Sequence, residues 1–244
     1  MCIILIRWEV RLVNGGSTKK EYADPGWSAW EAVIVMGLAM LLSAVPYWFS
    51  ASARGIGADL LSYVIQTGCF FLCPLLLASL RHHSTPEALG FTAADRTRCL
   101  RTGVGWGLLL YLANVLISYG QSLLFPQYQP QEYIVALLDK ANGFETCFLL
   151  LLLLVLAPAA EETLFRAFFF PALLHRYGRT AGYILCAVVF AAAHFDPWTL
   201  LPIFIASLGL CRLYEKYHCL WYNIIAHATW NGVALVIYYF TSLK

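Results

Sequence analysis

Residues 149–174 read LLLLLLVLAPAAEETLFRAFFFPALL, which sets two adjacent carboxylates and an arginine into a segment otherwise apolar enough to span a bilayer. A single charge at that depth costs about 2.5 to 3.5 kcal/mol on insertion scales, so charges kept there imply a use. Helical spacing sorts the three. At 3.6 residues per turn, Glu162 and Arg166 lie one turn apart on one face, with the glutamate N-terminal, the favourable order for an i,i+4 ion pair. Glu161 is rotated by about 100° from Glu162 and has Phe165 as its i+4 neighbour, so its own helix offers it no partner. A carboxylate left in that position is a candidate base toward a water molecule. If instead it only paired with a neighbouring helix, it would lock packing and nothing more, and the choice between the two turns on what other polar residues the membrane segments hold.

Composition supports the bilayer as solvent. Of 244 residues, 60% are hydrophobic and only 12% charged, with a mean hydropathy of +0.67, far more apolar surface than a soluble domain of this length uses. A formal net charge of +2 offers no basic groove for nucleic acid. The eight cysteines form no CxxC pair, which argues against a disulfide framework or a zinc knuckle. At the N-terminus the apolar run stops at Arg7, too short for the core of a signal peptide, so insertion is expected through the first true span.

The expected fold is all-α: a polytopic transmembrane bundle of about seven to eight helices around a cytosol-facing catalytic cavity. Residues 1–24 read as a basic cytoplasmic tail and 25–244 as a single transmembrane domain, its catalytic helices falling in about 145–235. Apolar runs at 27–50, 57–80, 102–125, 149–174, 180–195, 199–214 and 219–242 are the spans. An eighth helix is expected if 144–176 breaks at Pro158 or Pro171. The amphipathic piece YIVALL at 133–138 suits the membrane interface. With the N-terminus inside, alternate loops put nearly all lysines and arginines on the cytoplasmic side and only Arg54, Lys140 and Lys244 opposite, which favours seven crossings with the C-terminus outside.

Two further spans carry polar residues deep in apolar sequence. FAAAHF places Phe190 and His194 on one helical face, and NIIAHATWN stacks Asn223, His227 and Asn231 one turn apart. Counted at about 1.5 Å per residue from the cytoplasmic ends of their helices, Glu161 lies about 20 Å deep, His194 about 21 Å and His227 about 12 Å. Glu161, His194, His227 and Asn231 are thus expected to meet in one cavity. The aromatic clusters Phe168–Phe170 and Tyr238–Phe240 read as facing lipid or the interface, and Gly103, Gly105 and Gly107 as sites of close helix approach.

Glu161-Glu162-x-x-x-Arg166, Phe190-x-x-x-His194 and His227-x-x-x-Asn231, in that order on successive helices, resemble the three motifs of the CPBP group, the type II CAAX prenyl endopeptidases and related bacterial proteins of bacteriocin processing and self-immunity. The resemblance covers about residues 145–235. It implies an intramembrane endopeptidase in which Glu161 is the catalytic glutamate and His194 its partner in activating water. His227 and Asn231 then stabilise the oxyanion or position the water, and Glu162, Arg166 and Phe190 support the site. The implied substrate is a membrane-associated protein or peptide, with or without a lipid group, and the implied location a multi-pass protein of the bacterial inner membrane.

Two questions stay open at the level of sequence. Glu161, His194 and His227 form a conceivable three-ligand zinc set, although HExxH is absent and metal-free glutamate catalysis is the favoured reading. A non-catalytic immunity or scaffold protein keeping the protease fold is the alternative function. A proton-coupled transporter would also use membrane glutamate and histidine, but no internal repeat supports it.

Overall fold

The computed structural model describes residues 22–46, 56–125, 127 and 138–242, with side chains as far as residue 240. Among these the secondary structure is helical throughout. Helix α1 spans Ala29–Ser43, α2 Ile56–Leu76 and α3 Arg96–Leu124. Helix α4 covers Gly143–Leu151, α5 Ala157–Glu162, α6 Phe170–Ala192, α7 Leu200–Tyr217 and α8 Leu220–Ser242. Three stretches, Ile56–Arg81, Arg96–Leu124 and Gly143–Ala192, are long and apolar enough to cross a membrane. The chain is an integral membrane protein built as a helical bundle.

Local chemistry starts the helices where the sequence demands. Ser28 and Glu31 form a capping box at the head of α1, and Asn142 with Glu145 does the same for α4. Asp95 caps α3 by accepting from the Arg98 backbone N–H at 2.7 Å.

The stretch from 143 to 192 does not break at Pro158 or Pro171, as expected from their missing N–H. Wide π-helical turns at Leu152–Leu156 and Thr163–Phe169 lie immediately upstream of the two prolines, and the i→i+5 pattern takes up the backbone bond that proline cannot make. A third such turn, Leu77–Arg81, comes after Pro74. The reversal instead comes at Gly178, whose φ of 76° and ψ of −179° only glycine adopts without strain. Beyond it the chain folds back on itself, so that a Cβ at Gly182 would sit 3.1 Å from the Leu174 nitrogen, and Cys186 Sγ donates to the Phe165 carbonyl at 3.6 Å. The fourth and fifth spans are the two arms of this hairpin.

Contacts define the two ends of the bundle. At one, Tyr22 and Arg179 both donate to Glu215 at 3.0 Å, and Arg81 lies 3.4 Å from Glu31. At the other, Gln121 donates to the Trp198 carbonyl at 3.3 Å and the Tyr238 hydroxyl to Asp139 at 2.7 Å. Helices α3 and α8 approach closely where a Cβ at Gly103 would meet Ile225 and one at Gly107 would meet the Ala226 carbonyl. Gly105, expected to join them, faces open space.

Phe168, Phe169 and Phe170 are not lipid-facing. Thr163 through Phe170 are all buried, because this turn is the central rod of the bundle and is covered on every side. Trp27 stacks on Phe168 at 5.0 Å and donates its indole N–H to the Phe168 carbonyl at 2.7 Å, while Phe170 meets Tyr183 edge-on at 5.1 Å. Of the second aromatic cluster, Tyr239 and Phe240 are exposed as expected, but Tyr238 lines the central cavity. Of the expected tail, residues 1–21 lie outside the described residues, and Tyr22 is docked on α6 and α7 through Glu215 and His175. The amphipathic piece at 133–138 also lies outside them except for Leu138.

Candidate active site

The buried polar residues of the central rod assemble around Glu162, which is completely buried together with Arg166. Arg166 Nη1 stands 3.2 Å from Glu162 Oε1, confirming the i,i+4 pair read from the spacing. Its Nη2 donates to Ser207 Oγ of α7 at 2.9 Å, and its guanidinium lies over the Phe190 ring at 4.1 Å from the centroid. Asn223 of α8 donates to Glu162 Oε2 at 3.3 Å and to the Leu210 carbonyl at 2.8 Å. His227 Nδ1 donates to Glu162 Oε1 at 2.8 Å. One carboxylate therefore ties the central rod to α8 and, through Arg166, to α7 and α6, and removing any member would leave a charge or donor stranded in apolar surroundings.

This cluster forms the floor of a cavity of about 650 Å³. Glu161, His194, His227 and Asn231 all line it, the convergence expected from their depths. With Nδ1 given to Glu162, His227 presents Nε2, which faces Glu161 Oε2 at 3.9 Å. That oxygen is buried and accepts no hydrogen bond from the protein. The separation is too long for a direct hydrogen bond and suits one intervening small polar molecule. His194 stands on the cavity rim just beyond the end of α6, with Nδ1 donating to the Phe190 carbonyl at 2.9 Å, so it too turns Nε2 outward. The histidine directly against Glu161 is therefore His227, with His194 farther out. Asn231 donates one N–H to the Leu153 carbonyl at 2.9 Å, leaving the amide's second N–H and its oxygen unassigned. Phe190 packs edge-on against His194 at 5.1 Å and His227 at 6.1 Å, joining the two imidazoles to Arg166.

Glu161, His194 and His227 do not assemble a metal site as arranged. Among the described residues no three His, Cys, Asp or Glu side chains form a group that could hold an ion. The 3.9 Å between Glu161 Oε2 and His227 Nε2 is longer than the about 3.3 to 3.4 Å that two ligands of one tetrahedral zinc span with bonds of about 2.0 to 2.1 Å.

Sequence reasoning found the polar stripe on α8 but not that Asn223 and His227 share Glu162, and it passed over Ser207. Ser207, the one hydroxyl in the middle of the apolar run between Thr199 and Tyr214, was the available signal, since such a group inside a membrane bundle finds a partner.

The lining of the cavity runs from this floor in one direction. It takes the C-terminal half of α3 from Tyr111 to Ser122, the first turn of α7, the C-terminal half of α8 to Tyr238, and Leu138. All belong to the end opposite the arginine-rich loops. Access from the cytosol and an arginine-rich cytoplasmic end, both expected from the sequence, therefore exclude one another, because the two expectations assign opposite ends of the bundle to the same compartment.

No curated protein and no solved structure matches the chain. Residues 143–233, which hold all three motifs, match the family described as Rce1-like, type II CAAX prenyl endopeptidase Rce1-like, a match consistent with the CPBP group.

Proposed function

We propose that the protein is an intramembrane endopeptidase that hydrolyses a peptide bond of a membrane-associated substrate, with Glu161 as the base. The observation that carries this reading is the buried, unpartnered Glu161 Oε2 facing His227 Nε2 at 3.9 Å on the wall of a large cavity. A water held between the two gives one proton to Glu161 as its oxygen attacks the substrate carbonyl carbon. His227 Nε2 accepts from the water's other hydrogen, and the Glu162 carboxylate behind it fixes the ring's tautomer and orientation, the role a buried acid plays toward a catalytic histidine. The free N–H of Asn231 is the candidate donor to the oxyanion. The proton on Glu161 then passes to the amine nitrogen as the C–N bond breaks, and a carboxylate and an amine leave. His194 Nε2, on the rim, holds the incoming peptide or the leaving amine.

The arginine distribution supports an orientation with the N-terminus in the cytoplasm, and the bacterial members of the CPBP group make the inner membrane the proposed location. The test is Glu161→Gln in a cleavage assay with purified protein in lipid. Turnover is expected to fall by about 10² to 10⁴, the usual worth of a positioned base, with no loss of thermal stability. Retained turnover rules out Glu161 as the base, and a biological phenotype that survives Glu161→Gln points to the scaffold alternative.

A further inference from the structure

We propose that Gln66 and Asn114, on helices upstream of all three motifs, grip the backbone of an extended substrate peptide and so fix which of its bonds lies against Glu161. This rests on the protease reading and adds to it the residues that position the substrate.

The cavity is built from two halves of the chain. Its floor comes from the central rod and α8, whereas α2 and α3 supply two of its walls, α2 packing on α1 and α5, and α3 on α7 and α8. On α3 the wall residues Tyr111, Asn114, Ser118 and Ser122 recur at steps of three or four, a polar stripe along one face of the helix. Leu112, Leu116 and Leu123 of the same helix are exposed and take no part in the cavity.

A polar side chain inside an apolar bundle finds partners, and Gln66 and Asn114 find theirs only in part. Gln66 Nε2 donates to Met40 Sδ at 3.4 Å, a weak acceptor, which leaves its second N–H and its oxygen. Asn114 Oδ1 accepts from Ser118 Oγ at 3.2 Å, which leaves both N–H donors. Both side chains line the cavity and are half-buried, so these groups are open to an occupant. Glu161 is the one carboxylate among the described lining residues, and no lysine or arginine joins it. Recognition on these walls is therefore by hydrogen bond and not by charge, and a side-chain amide offers the same donor and acceptor types as a peptide bond.

The levels of the two amides fit one extended strand. Phe70 of α2 meets Phe165 of the central rod edge-on at 6.1 Å, and both helices run on toward Trp27, which lies 6.4 Å from the His82 ring and stacks on Phe168. One turn back from that contact stand Gln66 and Glu161, at one level. On α3 a Cβ at Gly107 would meet the Ala226 carbonyl and Thr229, so Gly107 is level with His227. Asn114 lies two turns farther along α3, about 10 Å along its axis. An extended chain covers that distance in about three residues. Gln66 is thus placed beside the bond next to the cleaved one and Asn114 beside a carbonyl about three residues away, with Ser118 and Ser122 continuing the stripe beyond it.

The test uses the full-length protein in lipid nanodiscs and a quenched fluorescent peptide of uncharged apolar sequence, its cleaved bond located by mass spectrometry. Asn114→Leu and Gln66→Met keep the side chain's size and remove the amide. Each is expected to raise KM about fivefold, the worth of one neutral hydrogen bond, with a much smaller change in kcat, the signature of lost substrate binding. Two twin peptides carry a trans-alkene in place of the peptide bond about three residues to one side or the other of the cleaved one. One of the twins is expected to cost the wild type what Asn114→Leu costs it, and to cost that variant nothing further. Unchanged KM in both variants, or losses from variant and alkene that simply add, overturns the grip and leaves Glu161 as the base. Should a variant fold poorly, the twins on the wild-type protein still decide, since a KM unchanged for both overturns the proposal. If the wild type cleaves no peptide, the same sequence with a single fluorophore is titrated against the Glu161→Gln protein by fluorescence polarisation. Binding that Asn114→Leu weakens about fivefold then supports the grip while the protease reading fails, and absence of binding overturns both.

Discussion

His227 donates its Nδ1 hydrogen to Glu162 Oε1 at 2.8 Å, and by doing so turns its other ring nitrogen toward Glu161. Two neighbouring glutamates thus act on the two sides of one imidazole, the first buried and structural, the second open to the cavity. The i,i+4 partner of Glu162 completes the arrangement, since without Arg166 the carboxylate would sit uncompensated in a fully buried position.

Arg166→Ala is expected to be severely destabilising. It removes the Nη1 contact to Glu162, the Nη2 bond to Ser207 and the guanidinium over Phe190 in one step, and breaking a buried pair by deleting one partner costs about 3 to 5 kcal/mol. The variant should accumulate poorly and lose much of its melting temperature in detergent. If it melts like the wild type, the pair does not hold the rod to α7.

Chelation is expected to leave turnover unchanged, because the three candidate ligands do not form a group able to hold an ion. Metal analysis of active protein, with activity before and after chelator treatment, checks this. Stoichiometric zinc whose removal abolishes cleavage would require Glu161, His194 and His227 to rearrange into a tetrahedral set.

Gly107 and Gly105 should respond oppositely to substitution. A Cβ at Gly107 would fall 2.5 Å from the Ala226 carbonyl oxygen and 2.6 Å from Thr229 Cβ, so Gly107→Ile pushes α3 off α8 and is expected to cost about 1 to 3 kcal/mol. At Gly105 nothing lies within 4 Å, and alanine there should stabilise the helix by up to about 1 kcal/mol. Thermal melts of the two variants side by side distinguish close packing from a shared dislike of side chains.

Glu215 lies just beyond the apolar run of α7. Partial burial acts to raise its pKa, but hydrogen bonds from Arg179, Tyr183 and Tyr22 outweigh it and bring the value from 4.5 down to about 2. A folded-state value below the unfolded one means that this cluster stabilises the fold above pH 4.5 and loses its contribution as pH falls toward 2. Arg179 is about half exposed, so solvent screens the effect and it should be modest. Melting temperature should fall more steeply with acid in the wild type than in Glu215→Gln, and parallel slopes would show that the cluster is not linked to folding.

Much of the fold and the meeting of the four polar residues were legible in the sequence because depth along a helix is a one-dimensional quantity that counting recovers. Glu161, His194, His227 and Asn231 reach one cavity on that basis. Rotation about the helix axis was less accessible. Phe168, Phe169 and Phe170 read as a lipid-facing cluster because three successive rings cannot all point inward on an ordinary surface helix, and only a rod enclosed on all sides buries them together. The prolines misled for a related reason: their cost is read from the missing N–H, whereas a widened turn upstream absorbs it without ending the helix. The direction of the cavity needed coordinates, since counting from the cytoplasmic ends gives a depth but not which half of each helix lines the opening.

The two widened turns also set which changes of chain length the register of Glu161 tolerates. Helix α5 is a six-residue segment bounded by Leu152–Leu156 upstream and Thr163–Phe169 downstream, and each flanking turn stores surplus backbone relative to a regular helix. Losing one residue from the upstream turn would only restore ordinary winding and leave α5 facing as before, whereas losing one from the regular winding of α4 would swing α5 by about 100° relative to the head of that helix. Glu161 would leave the cavity wall for the packed interface, although no side chain of the site had been altered. Insertions and deletions in α4, upstream of every motif residue, are thus a route by which this scaffold could be silenced while every motif residue is kept.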